Sequence, residues 1–222
     1  MELAFIVPVL LVVLAGIVEL AFMMFTYLTM LDQTREAARF ASVRNYRSAS
    51  SGPASVAECN DTDLDYYKDT SCFFIDPNLN PYLSDFFTST NNKYADMTIS
   101  VFSVASGTTS IDIDRWPDLD GDGDMSNNQW SLYGNNWQMD CDGTTVITEP
   151  FITNDEMATK MASYPEAPRL KGIVLVEAHL CYHQVLNLPV FSDLIPTWIR
   201  LHAYTLMPAP EAIPTPTPIA SP

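Results

Sequence analysis

From Leu3 to Met30 the chain runs through 28 residues whose only carboxylate or cation is Glu19. A run of more than about 18 apolar residues marks a membrane-spanning candidate. As a helix this stretch measures about 42 Å, against a hydrocarbon core of about 30 Å. The surplus calls for tilt, or for a second use of the extra turns. A cleaved secretory signal would show a basic start, a shorter apolar centre and a small-residue cut site, and this stretch has none of them. Nor does the run stop at a turn: residues 31–43 continue without Gly or Pro. Leu31, Thr34, Ala38, Ala41 and Val43 leave a weak apolar stripe, while Asp32, Arg35, Glu36 and Arg39 form ionic spacings on the other side. The pattern predicts one helix of about 45 residues, close to 70 Å, apolar first and amphipathic after. Pro8 should bend it or free a backbone carbonyl near its start.

A charged acid at mid-bilayer costs on the order of 3 kcal/mol, so Glu2 and Glu19 are expected near an interface, protonated, or paired. For Glu2 the obvious cation is an α-amino group, its own or a neighbouring chain's.

Charge sorts the chain into two environments. The total is −16, with a sequence pI near 4.2. Up to Ser50, four arginines balance four acids, and the whole excess falls beyond it. So acidic a chain, with no basic stripe, excludes nucleic acid as a main partner.

The strings Met1–Leu11 (MELAFIVPVLL), Gly16-Ile17-Val18-Glu19-Leu20 and Thr34-Arg35-Glu36-Ala37-Ala38-Arg39-Phe40-Ala41, with Tyr27 between them, resemble the amino-terminal segment of TadE-like pseudopilins of the tight-adherence pilus system. Leu3 stands where that family often has Phe, and Thr34 where it often has Ala. Residues 174–182 and 199–207 resemble the family's closing pair of strands. The resemblance covers the two ends and not the middle. It implies that Glu2 is the glutamate just inside the mature terminus, which neutralises the amine of an adjacent subunit in a filament. The family's short basic leader ending in Gly is missing here, along with several residues before the Glu. The expectation is a terminus already or differently processed, or truncated.

Ser48–Pro53 is small and helix-breaking, so the helix should end near Asn45–Arg47. Short strands and loops are expected after it. Met97–Val104 and Ser110–Asp114 alternate with period two around Gly107-Thr108-Thr109 and predict a hairpin. Asn154–Ala162 predicts a short helix, with Asn154 able to cap it and Asp155 and Glu156 suited to its first turn. Gly172–His183 and Thr197–Met207 predict a second antiparallel pair around residues 184–196. The apolar part of that loop, Val185–Phe191, should cover the helix's second half or a neighbouring subunit.

The four cysteines beyond an anchor read as two disulfides. Cys59 and Cys72 are close enough to close a small loop, leaving Cys141 for Cys181, although four cysteines allow three connectivities and the choice stays open. A metal on His179, Cys181 and His183 competes, but alternate residues on one strand lie about 6.6 Å apart, and zinc needs ligands that a tight tetrahedron can gather. Disulfides are preferred.

Asp118-Leu-Asp120-Gly-Asp122-Gly123-Asp124 carries the sharpest chemical signal. Oxygen ligands at alternate positions converge on a hard cation and Gly permits the turn, so calcium is the expected cofactor, held by Asp118, Asp120, Asp122 and Asp124. Position twelve of such a loop is Gln129 instead of a bidentate Glu. A helix-loop-helix hand is therefore not expected, and Asp140 and Asp142, or Asp112 and Asp114, would complete the shell. Residues 112–142 hold eight aspartates and one arginine, a concentration that resists folding without neutralisation. Trp116, Trp130, Tyr133 and Trp137 nearby read as cover for a sheet in preference to a sugar platform. Asn60-Asp61-Thr62 fits a glycosylation acceptor, and the tail from Pro208, with six prolines in fifteen residues, should be extended and without a core.

No phosphate-binding Gly loop, nucleophile elbow or zinc-protease motif occurs, so an enzyme is not expected. The expected class is α+β, a long amino-terminal hydrophobic helix followed by a small antiparallel β-sheet domain with long loops. Residues 1–30 would be the membrane or filament-core helix, 31–50 its amphipathic continuation, 51–207 a disulfide-linked outer domain and 208–222 a flexible tail. The expected function is a structural subunit of an extracellular pilus-like filament, held in the cytoplasmic membrane before assembly. Its partners would be copies of itself and the pilus assembly machinery, with Glu2, Pro8, Gly16 and Glu19 as assembly residues. Gly16 and Ala15 offer a close-approach patch for helix packing. The alternative is a single-pass membrane-anchored calcium-binding or adhesion module that does not polymerise.

Overall fold

The computed structural model describes residues 3–46, 54–61, 64–88, 94–106, 111–118, 128–134, 136–162, 170–186 and 196–212. The predicted long helix is α1, Leu3–Ser42, roughly 60 Å in length. It runs through Pro8 and ends a few residues before Asn45. Thr26, Met30, Thr34, Ala37, Ala38 and Ala41 are fully buried. Their spacing of three and four makes one stripe along the helix. Val43, expected in that stripe, is 73% exposed because the helix has already stopped. The stripe is built of small side chains, so α1 can lie close to the strands below it, where Ala178 and Ala203 are also buried. Thr34 Oγ1 meets Thr205 Oγ1 at 3.0 Å across this contact.

The strands are β1 (Asp96–Ser106), β2 (Ile111–Trp116), β3 (Trp130–Ser131), β4 (Leu170–His183) and β5 (Trp198–Pro208). They form one antiparallel sheet in the order β2-β1-β4-β5, with β3 paired to β1 at Thr98 and Ile99. Both predicted hairpins are present, joined through the β1–β4 pairing that runs from Asp96↔His179 to Ala105↔Leu170. Strand alternation then sorts the side chains. Met97, Ile99, Val101, Val174, Val176, Ala178 and Leu180 belong to the core shared with α1. On the opposite face Phe102, Val104, Ile173 and Leu175 pack with Ile152 and Met157.

Met157 lies on α4 (Asn154–Ala162), the short helix that the sequence predicts. Its cap sits one residue earlier than expected. Thr153 Oγ1 accepts from the Glu156 N–H at 3.2 Å and Glu156 Oε2 accepts from the Thr153 N–H at 3.2 Å, a reciprocal capping box. The Asn154 amide donates instead to the Ile113 carbonyl at 3.5 Å.

Two helices replace part of the expected strands and loops. These are α2 (Tyr66–Ile75) and α3 (Pro81–Thr88). Asp65 caps α2 by accepting from the Tyr67 and Lys68 N–H groups at 3.0 Å each, and Asn80 Oδ1 accepts from the Leu83 N–H at 3.0 Å. Asp65, Asn80 and a Pro at the first position of α3 are start signals legible in sequence. Tyr67, Phe74, Ile75, Leu83 and Phe87 bury against the α1 side of the sheet. Cys59 is bonded to Cys72, tying the turn at 58–60 to α2, and Cys141 is bonded to Cys181 of β4.

Gly172 admits a close crossing over β4. A Cβ there would lie 2.0 Å from the Ala209 carbonyl oxygen and 2.5 Å from the Ala212 Cβ, and the Ala209 N–H donates to the Gly172 carbonyl at 2.7 Å. Gly172→Ala should therefore destabilise the full chain by about 1–3 kcal/mol, seen as a lower Tm in detergent. An unchanged Tm would show that residues 209–212 do not press on β4.

Candidate functional site

Among the described residues, α1 is the helix long and apolar enough to cross a membrane. Ile6, Val9, Leu10, Val13, Leu14, Ile17 and Leu20 are each more than half exposed, and Phe25 and Leu28 carry that face on. From Leu3 to Val18 the helix rises about 24 Å before the domain takes hold of it. An apolar face this long needs lipid or other helices over it.

The domain takes hold at Glu19. Tyr182 Oη donates to Glu19 Oε1 at 2.9 Å, the Val185 N–H to Oε1 at 2.8 Å and the Leu186 N–H to Oε2 at 2.9 Å. Burial, helped by the Glu19 carboxylate, raises the Tyr182 phenol well above its ordinary range, so it keeps the proton it donates. The acid in the apolar run is thus paired within its own chain. Leu186 also lines a shallow apolar groove with Leu11, Val12, Leu14, Ala15 and Val18. The described part of the apolar loop therefore meets the first half of α1 and not its second half, and residues 187–191 lie outside the described residues.

Removing this acceptor should release the hairpin end. Glu19→Ala is expected to destabilise by about 1–3 kcal/mol, because bonds to a charged acceptor are strong but two of the donors can turn to water. The check is hydrogen exchange at the Val185 and Leu186 amides, expected to speed up at least tenfold, with Tyr182→Phe giving a smaller change. Exchange as slow as in the unaltered chain would remove Glu19 from this role.

The sheet face turned away from α1 carries a second group. Glu177 and His179 are alternate residues on β4, and His202 stands opposite His179 on β5. His202 Nε2 lies 3.1 Å from Glu177 Oε2 and His179 Nε2 lies 3.7 Å from it. The two imidazole rings are stacked, centroids 4.3 Å apart. Glu177 and His179 are buried, and the His202 side chain is 23% exposed. Burial works to raise the Glu177 carboxyl, but the two imidazoles that face it outweigh that and hold the group at about 2. Burial presses His179 down to about 4, so it is neutral at pH 7.

Polar neighbours brace this face. Arg115, fully buried, donates to the Ile152 carbonyl at 2.8 Å, to Ser100 Oγ at 2.8 and 3.2 Å and to Gln129 Oε1 at 3.1 Å. Burial lowers its guanidinium to about 10, with the Glu177 charge acting the other way. Arg200 donates to the Trp137 carbonyl and lies 3.3 Å from His179 Nδ1. Asp96 accepts from the Ser131 hydroxyl at 2.6 Å and from the N–H groups of Met97, Tyr133 and Trp137 at 2.8, 3.0 and 3.0 Å. Burial pushes its carboxyl up to about 7 against the pull of those four donors.

Of the other predicted site residues, Pro8 is exposed and Gly16 partly buried on α1. Glu2, Asp120, Asp122 and Asp124 lie outside the described residues. Asp118 is partly buried at the edge of that stretch, and Gln129, at its twelfth position, is engaged by Arg115. Trp130 and Trp137 are buried, with Trp116 and Tyr133 packed against the core, as cover for the sheet requires. The Glu177, His179 and His202 group does not figure among the expected sites. Its signal was Glu-x-His on one predicted strand and a lone His on the strand expected to pair with it.

Residues 1–39 match the family model described as TadE-like protein. The match lies on α1 and stops before the helix ends, so the amino-terminal segment of the chain is TadE-like. No curated protein and no solved structure matches the chain.

Proposed function

We propose that the chain is a structural subunit of an extracellular pilus-like filament, with α1 packed among copies of itself and the acidic domain exposed. The observation that carries this reading is the two-sided helix. One side of α1 is committed to its own sheet through Thr26–Ala41, and the other is apolar and uncovered from Ile6 to Leu28. The TadE-like match to residues 1–39 supports a pilus context for that segment. Before assembly the same face would sit in the cytoplasmic membrane, from which the pilus assembly machinery would extract it. Glu2 would then neutralise the terminal amine of a neighbouring subunit, as a carboxylate in an apolar core must be paired.

Electron microscopy of material sheared from the cell surface tests this. Filaments containing the chain are expected, and protein found only as monomers in detergent would favour the membrane-anchored module that does not polymerise. Glu2→Ala should leave the protein in the membrane and cut filament yield, while normal yield would exclude the pairing role.

Calcium on Asp118, Asp120, Asp122 and Asp124 belongs to the same reading, since neutralising that stretch would let acidic domains pack side by side. Chelation should lower the Tm, and Asp120→Ala should lower it in calcium and abolish the response to chelator. A Tm indifferent to both would refute the site.

A further inference from the structure

We propose that Glu177, His179 and His202 form a zinc site that clamps β4 to β5, separate from the acidic stretch to which calcium is assigned. Each residue offers one ligand atom, and the three atoms lie within 4.8 Å of one another. Zinc bound at about 2.0–2.1 Å in a tetrahedron sets its ligand atoms about 3.4 Å apart. The two measured edges, 3.1 and 3.7 Å, bracket that value. The sheet supplies the arrangement: alternate residues of β4 share a face, and His202 is in register with His179.

A hydrogen-bonded triad alone does not account for the group. Glu177 Oε1 and His179 Nε2 are buried without a hydrogen-bond partner, and such atoms normally find one. At 3.7 Å the His179 Nε2 is too far from the carboxylate for a hydrogen bond. A cation on His179 Nε2 and Glu177 Oε2 employs that nitrogen, and it employs Oε1 as well where the carboxylate binds through both oxygens. Two imidazoles and a carboxylate suit a borderline divalent ion and not calcium, which takes oxygen ligands. The fourth position would face the partly exposed side of His202, beside the open cleft lined by Phe151, Asp155, Glu156 and Tyr204. Ligation through Nε2 puts the ring proton of His179 on Nδ1, so Arg200 must give up its 3.3 Å contact there and keep the Trp137 carbonyl. The Asp140 charge already acts on Arg200.

The test uses the full chain in detergent, stripped with chelator and then held in excess calcium so that acidic oxygen sites are saturated. Calorimetric titration with Zn2+ should give one ion per chain, and Zn2+ should raise the Tm. His202→Ala, altering the partly exposed ligand, should weaken binding at least tenfold, while His183→Ala at the end of β4 should not. Co2+ added to the unaltered chain should give the strong visible absorption of a tetrahedral site, a reading independent of whether any variant folds. Absence of Zn2+ binding in excess calcium, equal affinity in His202→Ala, or only the weak absorption of octahedral Co2+ would each overturn the site.

Discussion

The fold is organised by a division of α1 into two sides that need different surroundings. A helix about 60 Å long cannot be covered by a sheet whose strands are 14 residues or fewer. The sheet takes the side carrying Thr26, Met30, Thr34 and the three alanines, where small side chains allow close approach. Large residues from Ile6 to Leu28 are left outside. Glu19 marks the boundary: it is the one carboxylate in the apolar run, and it is satisfied by the end of β4 and the start of the following loop. That arrangement keeps the charge out of whatever apolar phase covers the free turns, and it ties the end of β4 to the helix. Membrane insertion and helix-on-helix packing then make the same demand on α1, an uncovered apolar side.

The second face of the sheet follows a different logic. One end is filled by Phe102, Val104, Ile173 and Leu175 under α4, and the other by charged and imidazole side chains. Buried charges are costly unless hydrogen bonds take up their valences. Arg115 and Asp96 meet that condition with four bonds each, and in doing so they hold Gln129, Ser131, Tyr133 and Trp137 against the strands. Glu177 and His179 meet it only in part. The Cys141–Cys181 bond fixes the same segment from its far end, so this polar face rests on covalent as well as hydrogen-bonded ties.

Much of the architecture was legible because it depends on local pattern. The apolar run to Met30 predicts α1, period-two alternation predicts β1 and β2, the closing pair that resembles the TadE-like family's predicts β4 and β5, and the acidic first turn at 155–156 predicts α4. Two short helices were missed even though Asp65, Asn80 and Pro81 announce their starts. Eight to ten residues carry little periodic signal, and what holds α2 and α3 in place is burial of Tyr67, Phe74 and Leu83 against a sheet formed much later in the chain. Asn154 looked like a cap because it opens the acidic turn, but Thr153 and Glu156 satisfy each other and free Asn154 for the neighbouring strand.

The sequence by itself determined that this chain has a long half-apolar helix, a TadE-like amino-terminal segment, an acidic part beyond the helix and a sheet built from two hairpins. The TadE-like segment follows from resemblance to that family, and the rest from composition or from patterns over neighbouring residues. Only the tertiary structure decided that the hairpins join through β1 and β4, that Glu19 is held by Tyr182 and the two amides after it, and that His202 stands over Glu177 and His179. These pairings join residues 23 to 167 positions apart, and register across strands depends on which faces are buried together, which no local pattern records.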